Sequence, residues 1–197
     1  MTQVYLLVAF TMASLCVCST WSMHRVFDFF SSSSSSSSSS HYGSSNHGDE
    51  VVDNVTATGS AKLDGTTVSE TTKVDGNLRA NDATLNTLNV NGAANLESCT
   101  IQGNASISGS LKGKDNTFED TLTISSERVS LNSSSLQSIE VLKVNSSEEQ
   151  QVVRLENNTS VAGDITFASG NGKVVVDESS EFLGNVIGGM VTRSNDN

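Results

Sequence analysis

Residues 76–124 read GNLRANDATLNTLNVNGAANLESCTIQGNASISGSLKGKDNTFEDTLTI. Small and apolar residues recur here in one order: a spaced pair, a single, then another spaced pair. The first pairs are Leu78/Ala80, Ala94/Leu96 and Leu111/Gly113; the singles are Leu85, Ile101 and Phe118; the second pairs are Leu88/Val90, Ala105/Ile107 and Leu122/Ile124. A spacing of two is the strand period, not the helix period. The singles recur at steps of 16 and 17 residues, too short for paired-helix repeats of about 33 residues or more.

Working outward, the same three columns extend to Ala61/Leu63, Val68 and Thr72/Val74 upstream. Downstream they reach Val129/Leu131, Leu136 and Ile139/Val141, then Val153/Leu155, Val161 and Ile165/Phe167, and finally Val174/Val176, Phe182 and Val186/Gly188. This predicts an all-β fold: a single-stranded parallel β-helix (β-solenoid) of about seven coils, each of 16–18 residues with three short strands. Glycine follows the third column two residues on at Gly59, Gly76, Gly92 and Gly109, where a corner needs unusual backbone angles. Threonine precedes the single apolar residue at Thr67, Thr84, Thr100 and Thr117, which predicts an outward-facing ladder. The 197 residues contain no proline, as continuous parallel pairing requires, because proline cannot donate to a strand ladder. With 36% hydrophobic residues and a net charge of −11, composition alone would lean towards disorder. The phase-locked columns argue against it.

Four regions follow. Residues 1–30 carry an apolar run over positions 4–18, the length of a signal-peptide core and short of a membrane span; they read as a signal peptide or, uncleaved, an N-terminal anchor. Residues 31–50 begin with ten consecutive serines and read as a Ser-rich disordered linker. Residues 51–191 form the solenoid, with a loop insertion at about 142–152 where one coil is over-long. Residues 192–197 read as a frayed tail.

No catalytic, cofactor-binding or metal-binding residues stand out. All three histidines (His24, His41, His47) precede the repeat, and Cys99 has no cysteine neighbour. The carboxylates are scattered, with no nucleophile, base and orienter together, so no enzyme and no cofactor are expected. Ten Lys and Arg against 22 acids after residue 25, with no basic stripe along the sequence, argue against nucleic acid. A membrane contact is expected only through the N-terminal segment. Two interaction features remain. Ser146, Ser147, Glu148, Glu149, Gln150 and Gln151 form a polar candidate interaction loop, and Phe182 is a candidate end contact at an exposed β edge.

The repeats GNLRANDATLNTLNV, GAANLESCTIQGNASI and GSLKGKDNTFEDTLTI resemble those of the bactofilin-type polymer-forming β-helices and of small exported bacterial β-helix proteins. The resemblance covers residues 55–141 well and 150–190 loosely. It implies a compact β-helical core that stacks end to end without nucleotide. The apparent signal peptide and serine tether depart from a cytoskeletal role and point to a periplasmic, surface or secreted location. The expected function is an exported, non-enzymatic structural solenoid that self-associates end to end. The alternatives are an adhesin-like binding module, which would engage an envelope or host surface ligand through the 142–152 loop or a Ser/Thr/Asn face, and a degenerate carbohydrate-active β-helix.

Overall fold

The structure, a computed structural model, describes residues 38–144 and 149–194. The serine run up to residue 37, the stretch before it read as a signal peptide or anchor, residues 145–148 and the last three residues lie outside the described residues.

Among the described residues the secondary structure is entirely β. The strands are β1 (Ser38–His47), β2 (Val51–Asp64), β3 (Thr67–Asn81), β4 (Thr84–Glu97), β5 (Thr100–Ile101), β6 (Ala105–Lys114), β7 (Thr117–Ser125) and β8 (Arg128–Asn132). They continue as β9 (Ser135–Val141), β10 (Gln151–Glu156), β11 (Ser160–Val161), β12 (Ile165–Phe167), β13 (Gly172–Val176), β14 (Glu181–Phe182), β15 (Val186–Ile187) and β16 (Gly189–Arg193). Every pairing is parallel and joins a strand to the lap above or below. The chain is therefore a β-solenoid.

Three faces carry the three sequence columns. On the first face Ala61, Leu78, Ala94, Leu111, Val129, Val153 and Val174 stand in register. On the second, Val68, Leu85, Ile101, Phe118, Leu136, Val161 and Phe182 do so. On the third, Leu88, Ala105, Leu122, Ile139, Ile165 and Val186 align. These residues form one continuous core. Fully burying a Leu, Ile or Val contributes about 1.5–3 kcal/mol, and stacking lets each lap complete its neighbour's burial.

The expected count of seven coils is corrected to about nine. One extra lap is β1, which pairs along its whole length with β2. The described part of the rod thus includes Ser38–His47, inside the stretch read as linker. That lap carries no apolar signature because its inward first-face residues are Ser45 and His47, both buried. His47 is held by polar partners instead: Nδ1 lies 2.6 Å from Glu50 Oε1 and Nε2 lies 3.2 Å from Ser39 Oγ. The other extra lap is β16, pairing with β13 through Arg193, so the last lap reaches into the stretch read as tail.

Each lap turns at three corners, closed by different means. At the first corner Asp82, Ser98, Asp115 and Ser133 adopt φ of 48–55°, the left-handed region that Asn, Asp and Gly favour. The next residue, Ala83, Cys99, Asn116 or Ser134, then points inward and is buried. Its amide is satisfied by the side chain one lap on. Cys99 N–H donates to Asn116 Oδ1 (2.9 Å), Asn116 N–H to Ser134 Oγ (3.2 Å), Ser134 N–H to Thr159 Oγ1 (3.3 Å) and Thr159 N–H to Ser180 Oγ (3.0 Å). Asn116 is the longest member. A methyl at Gly113 would lie 3.1 Å from Asn116 Nδ2, so the missing side chain at Gly113 is what admits the carboxamide.

The second corner holds two or three residues, as between Leu85 and Leu88 or between Ile101 and Ala105. This slack produces the 16/17 alternation of the repeat. At the third corner Gly43, Gly59, Gly76, Gly92 and Gly109 stack in register. A Cβ at Gly76, Gly92 or Gly109 would sit 1.9–2.0 Å from the preceding glycine's carbonyl oxygen. Only glycine permits this backbone-on-backbone approach.

Candidate functional site

The two ends of the solenoid are chemically unlike. At the C-terminal end β14, β15 and β16 form the last lap. Phe182 pairs with Val161, Val186 with Ile165 and Val191 with Val174, continuing the core columns to the open edge. Phe182 and Val186 are only partly buried against the core. Leu183 (77% exposed), Met190 (56%), Ile187 (50%) and Val191 (44%) surround them. The structure thus places the candidate end contact Phe182 within an apolar end face. The first lap at the other end points Ser39, Ser45 and His47 into the columns, with Glu50 bonded to His47.

The candidate loop divides. Ser146, Ser147 and Glu148 lie outside the described residues. Glu149 is exposed, and Gln150 Nε2 lies 3.5 Å from Asn171 Oδ1. Gln151 is a correction to the surface reading. It opens β10 and is 3% exposed, and its Nε2 donates to the Ser126 and Leu142 carbonyls at 3.0 and 2.7 Å. Those two carbonyls lie where the chain leaves the third corner, and no glycine closes the corner there. The Gln151 amide does so instead, and this clamps the base of the loop. Val144, near the start of the loop, lines a shallow cleft of about 450 Å³ together with Ser125, Glu127 and Arg128.

Among the described residues no group of three or more His, Cys, Asp or Glu is placed to hold a metal ion. Cys99 is buried, and that burial pushes its thiol pKa up. Its Sγ donates to the Glu97 carbonyl at 3.3 Å, a first-corner role matching its small neighbours. Lys114 Nζ lies 2.8 Å from Glu97 Oε1. The hydrogen bond and charge of Lys114 lower the Glu97 pKa, and Glu97 raises that of Lys114. Both are on the surface, so the pair is solvent-screened.

The sequence shows no basic stripe, but the fold builds one. Lys62, Arg79, Lys112 and Arg154 fall in one outward column of the first face. Arg128 and Lys173 fall in the adjacent column, next to the third corner. These two columns contain no acid. Of the six cations only Lys62 makes an ion pair, 3.3 Å from Asp64, among the described residues. Lys62 and Arg79 stand one lap apart, about 4.8 Å, while Asn95, Ser130 and Val152 lie between the other column neighbours, which stand two laps apart, about 9.6 Å. Shallow clefts of about 370 and 300 Å³ follow the same flank, floored by small residues such as Ser60, Ala93 and Ser110.

No family model, curated protein or solved structure matches the chain.

Proposed function

We propose that this chain is an exported, non-enzymatic structural protein: a β-solenoid carried on the serine tether behind its export segment, self-associating through its C-terminal end. The observation that carries this reading is the unlike chemistry of the two ends. A β edge that continues an apolar core, ringed by Leu183, Ile187 and Met190, is a template for another edge. The polar first lap is a poor match for it. Apolar against apolar pairs two C-terminal ends, a self-complementary contact that closes as a dimer. Association of that kind needs no nucleotide and no catalytic group. The test is sedimentation velocity of the full chain over a wide concentration range. In 1 M salt the expected result is a concentration-dependent dimer that Phe182→Asp converts to monomer. A parent that stays monomeric throughout defeats the reading. Cell fractionation with N-terminal sequencing of the mature protein tests export; an intact, cytosolic N-terminus would remove that part.

A second reading, a surface-binding module, is favoured by one observation: Val144, at the start of the long loop, lines the cleft beside Ser125 and Arg128. Deleting residues 146–150 while keeping Gln151 should leave the circular dichroism spectrum unchanged and abolish ligand capture. Survival of capture would exclude the loop.

A further inference from the structure

The basic strip has an acidic counterpart on the opposite side of the same molecule. The second corner lies across the three-sided lap from the first face. It carries Asp53, Glu70, Glu119, Asp120 and Asp164, and no Lys or Arg. Glu70, Glu119, Asp120 and Asp164 are exposed. The second corner is the slack one and borders a cleft of about 350 Å³ lined by Thr121, Ser138 and Asp164; the strip flanks the shallow clefts beside the glycine corner. The strip is therefore cationic and the second corner anionic.

We propose that the basic strip is a lateral docking surface for the acidic second corner of another copy of this chain. Charge complementarity identifies the occupant. The strip cations Arg79, Lys112, Arg128, Arg154 and Lys173 make no ion pair within the described part of their own chain, and the second corner offers carboxylates with no basic neighbours on that corner. The net charge of −11 repels copies at long range. At an ionic strength of about 0.1 M, where screening acts beyond about 10 Å, contact pairs survive while that repulsion fades. The two surfaces differ, so the contact is heterologous. Repeated rod after rod it stays open and gives a side-by-side array, unlike the closed pair of C-terminal ends.

The test uses the full chain carrying Phe182→Asp, so that loss of the end contact and loss of the lateral one are read separately. In that background, sedimentation should show association at about 0.1 M salt that disperses at 1 M. A strip variant (Arg79→Gln, Lys112→Gln, Arg154→Gln) and a corner variant (Glu70→Gln, Glu119→Gln, Asp120→Asn) should each weaken association about tenfold or more with an unchanged circular dichroism spectrum. Mixed one to one, they should form pairs and nothing larger, because the mixture holds one intact strip per intact corner. A monomeric background at every concentration, neutralised variants that associate like the background, or a mixture that stays monomeric each overturns the proposal. So does a strip that leaves the protein monomeric but retains it on polygalacturonate, which reassigns the strip to an acidic polymer.

Discussion

The laps up to Ser125 and the laps after it solve the same corner in opposite ways. In the earlier part the third corner is bare backbone, glycine on glycine from Gly43 to Gly109. In the later part the glycine column is interrupted, with Gln151 in it before glycine returns at Gly172 and Gly189, the laps lengthen, and side chains fill the gap. Gln151 ties two carbonyls there, and the Phe167 ring occupies the place where a Cβ at Gly172 would lie 2.1 Å away. Backbone stacking fixes the lap length to within one residue. Side-chain plugging releases it, which is why the loop insertion falls after Val141 and not before.

The contrast breaks most sharply at Gly92. Gly92→Ala puts a methyl against the Gly76 carbonyl at φ +142°, and a loss of about 4 kcal/mol or more is expected. Gly170→Ala, in the later part with φ +70° and nothing within 4 Å, should cost only about 1–2 kcal/mol. Urea melts of the two variants decide it; equal losses would mean the glycine ladder is ordinary turn chemistry. Phe167→Ala should cost about 3–5 kcal/mol. Gly172→Ala, destabilising alone, should then become nearly free, and a double-mutant cycle reads the coupling. Gln151→Ala strands two carbonyls and should cost about 2 kcal/mol, with faster proteolytic cutting near residues 142–150 and none in the glycine laps.

A smaller, pH-dependent effect belongs to the later part. The Ser180 hydroxyl, helped by the Asn157 amide and the Ser179 hydroxyl, lowers the Asp177 pKa below its ordinary value. The stability this gives is present above the unfolded-state pKa and is lost as pH falls through the lower folded-state value. Acid should therefore loosen the laps around Asp177, read as hydrogen exchange at Asn157 and Ser180, and Asp177→Asn should abolish the pH step. The gentlest change is a gain. Ala83 has no side-chain acceptor for the first-corner amide that would meet it, whereas Ser134 and Thr159 do. Ala83→Ser should add about 0.5–1 kcal/mol, seen as a rise in Tm.

The three columns were legible in the sequence because inward residues alternate with period two and each lap nearly repeats in length. Val68, Leu85, Ile101 and Phe118 do stand in register, and so do Thr67, Thr84, Thr100 and Thr117. What escaped had a common cause. Hydrophobicity marks the core only where burial is apolar, so the first lap, packed with the small polar Ser45 and the hydrogen-bonded His47, looked like linker. The Gln151 clamp hid among polar loop residues for the same reason. The basic strip escaped because Lys62, Arg79, Lys112 and Arg154 share a column only through the pairing register, and the acidic total conceals them. Phe182 was findable as the last member of its column; the exposed Leu183, Ile187 and Met190 around it sit at outward positions that carry no column signal.

The uniform glycine corner has a consequence for the history of the chain. Gly59, Gly76, Gly92 and Gly109 present interchangeable seams, so excising residues 76–91 joins Asp75 to Gly92 across the same kind of junction that Asn91 makes now. Unequal recombination at such seams can lengthen or shorten the protein by whole modules, each about 4.8 Å tall. Reach becomes a heritable quantity that drifts in discrete steps, while the two termini and their chemistry are passed on unchanged.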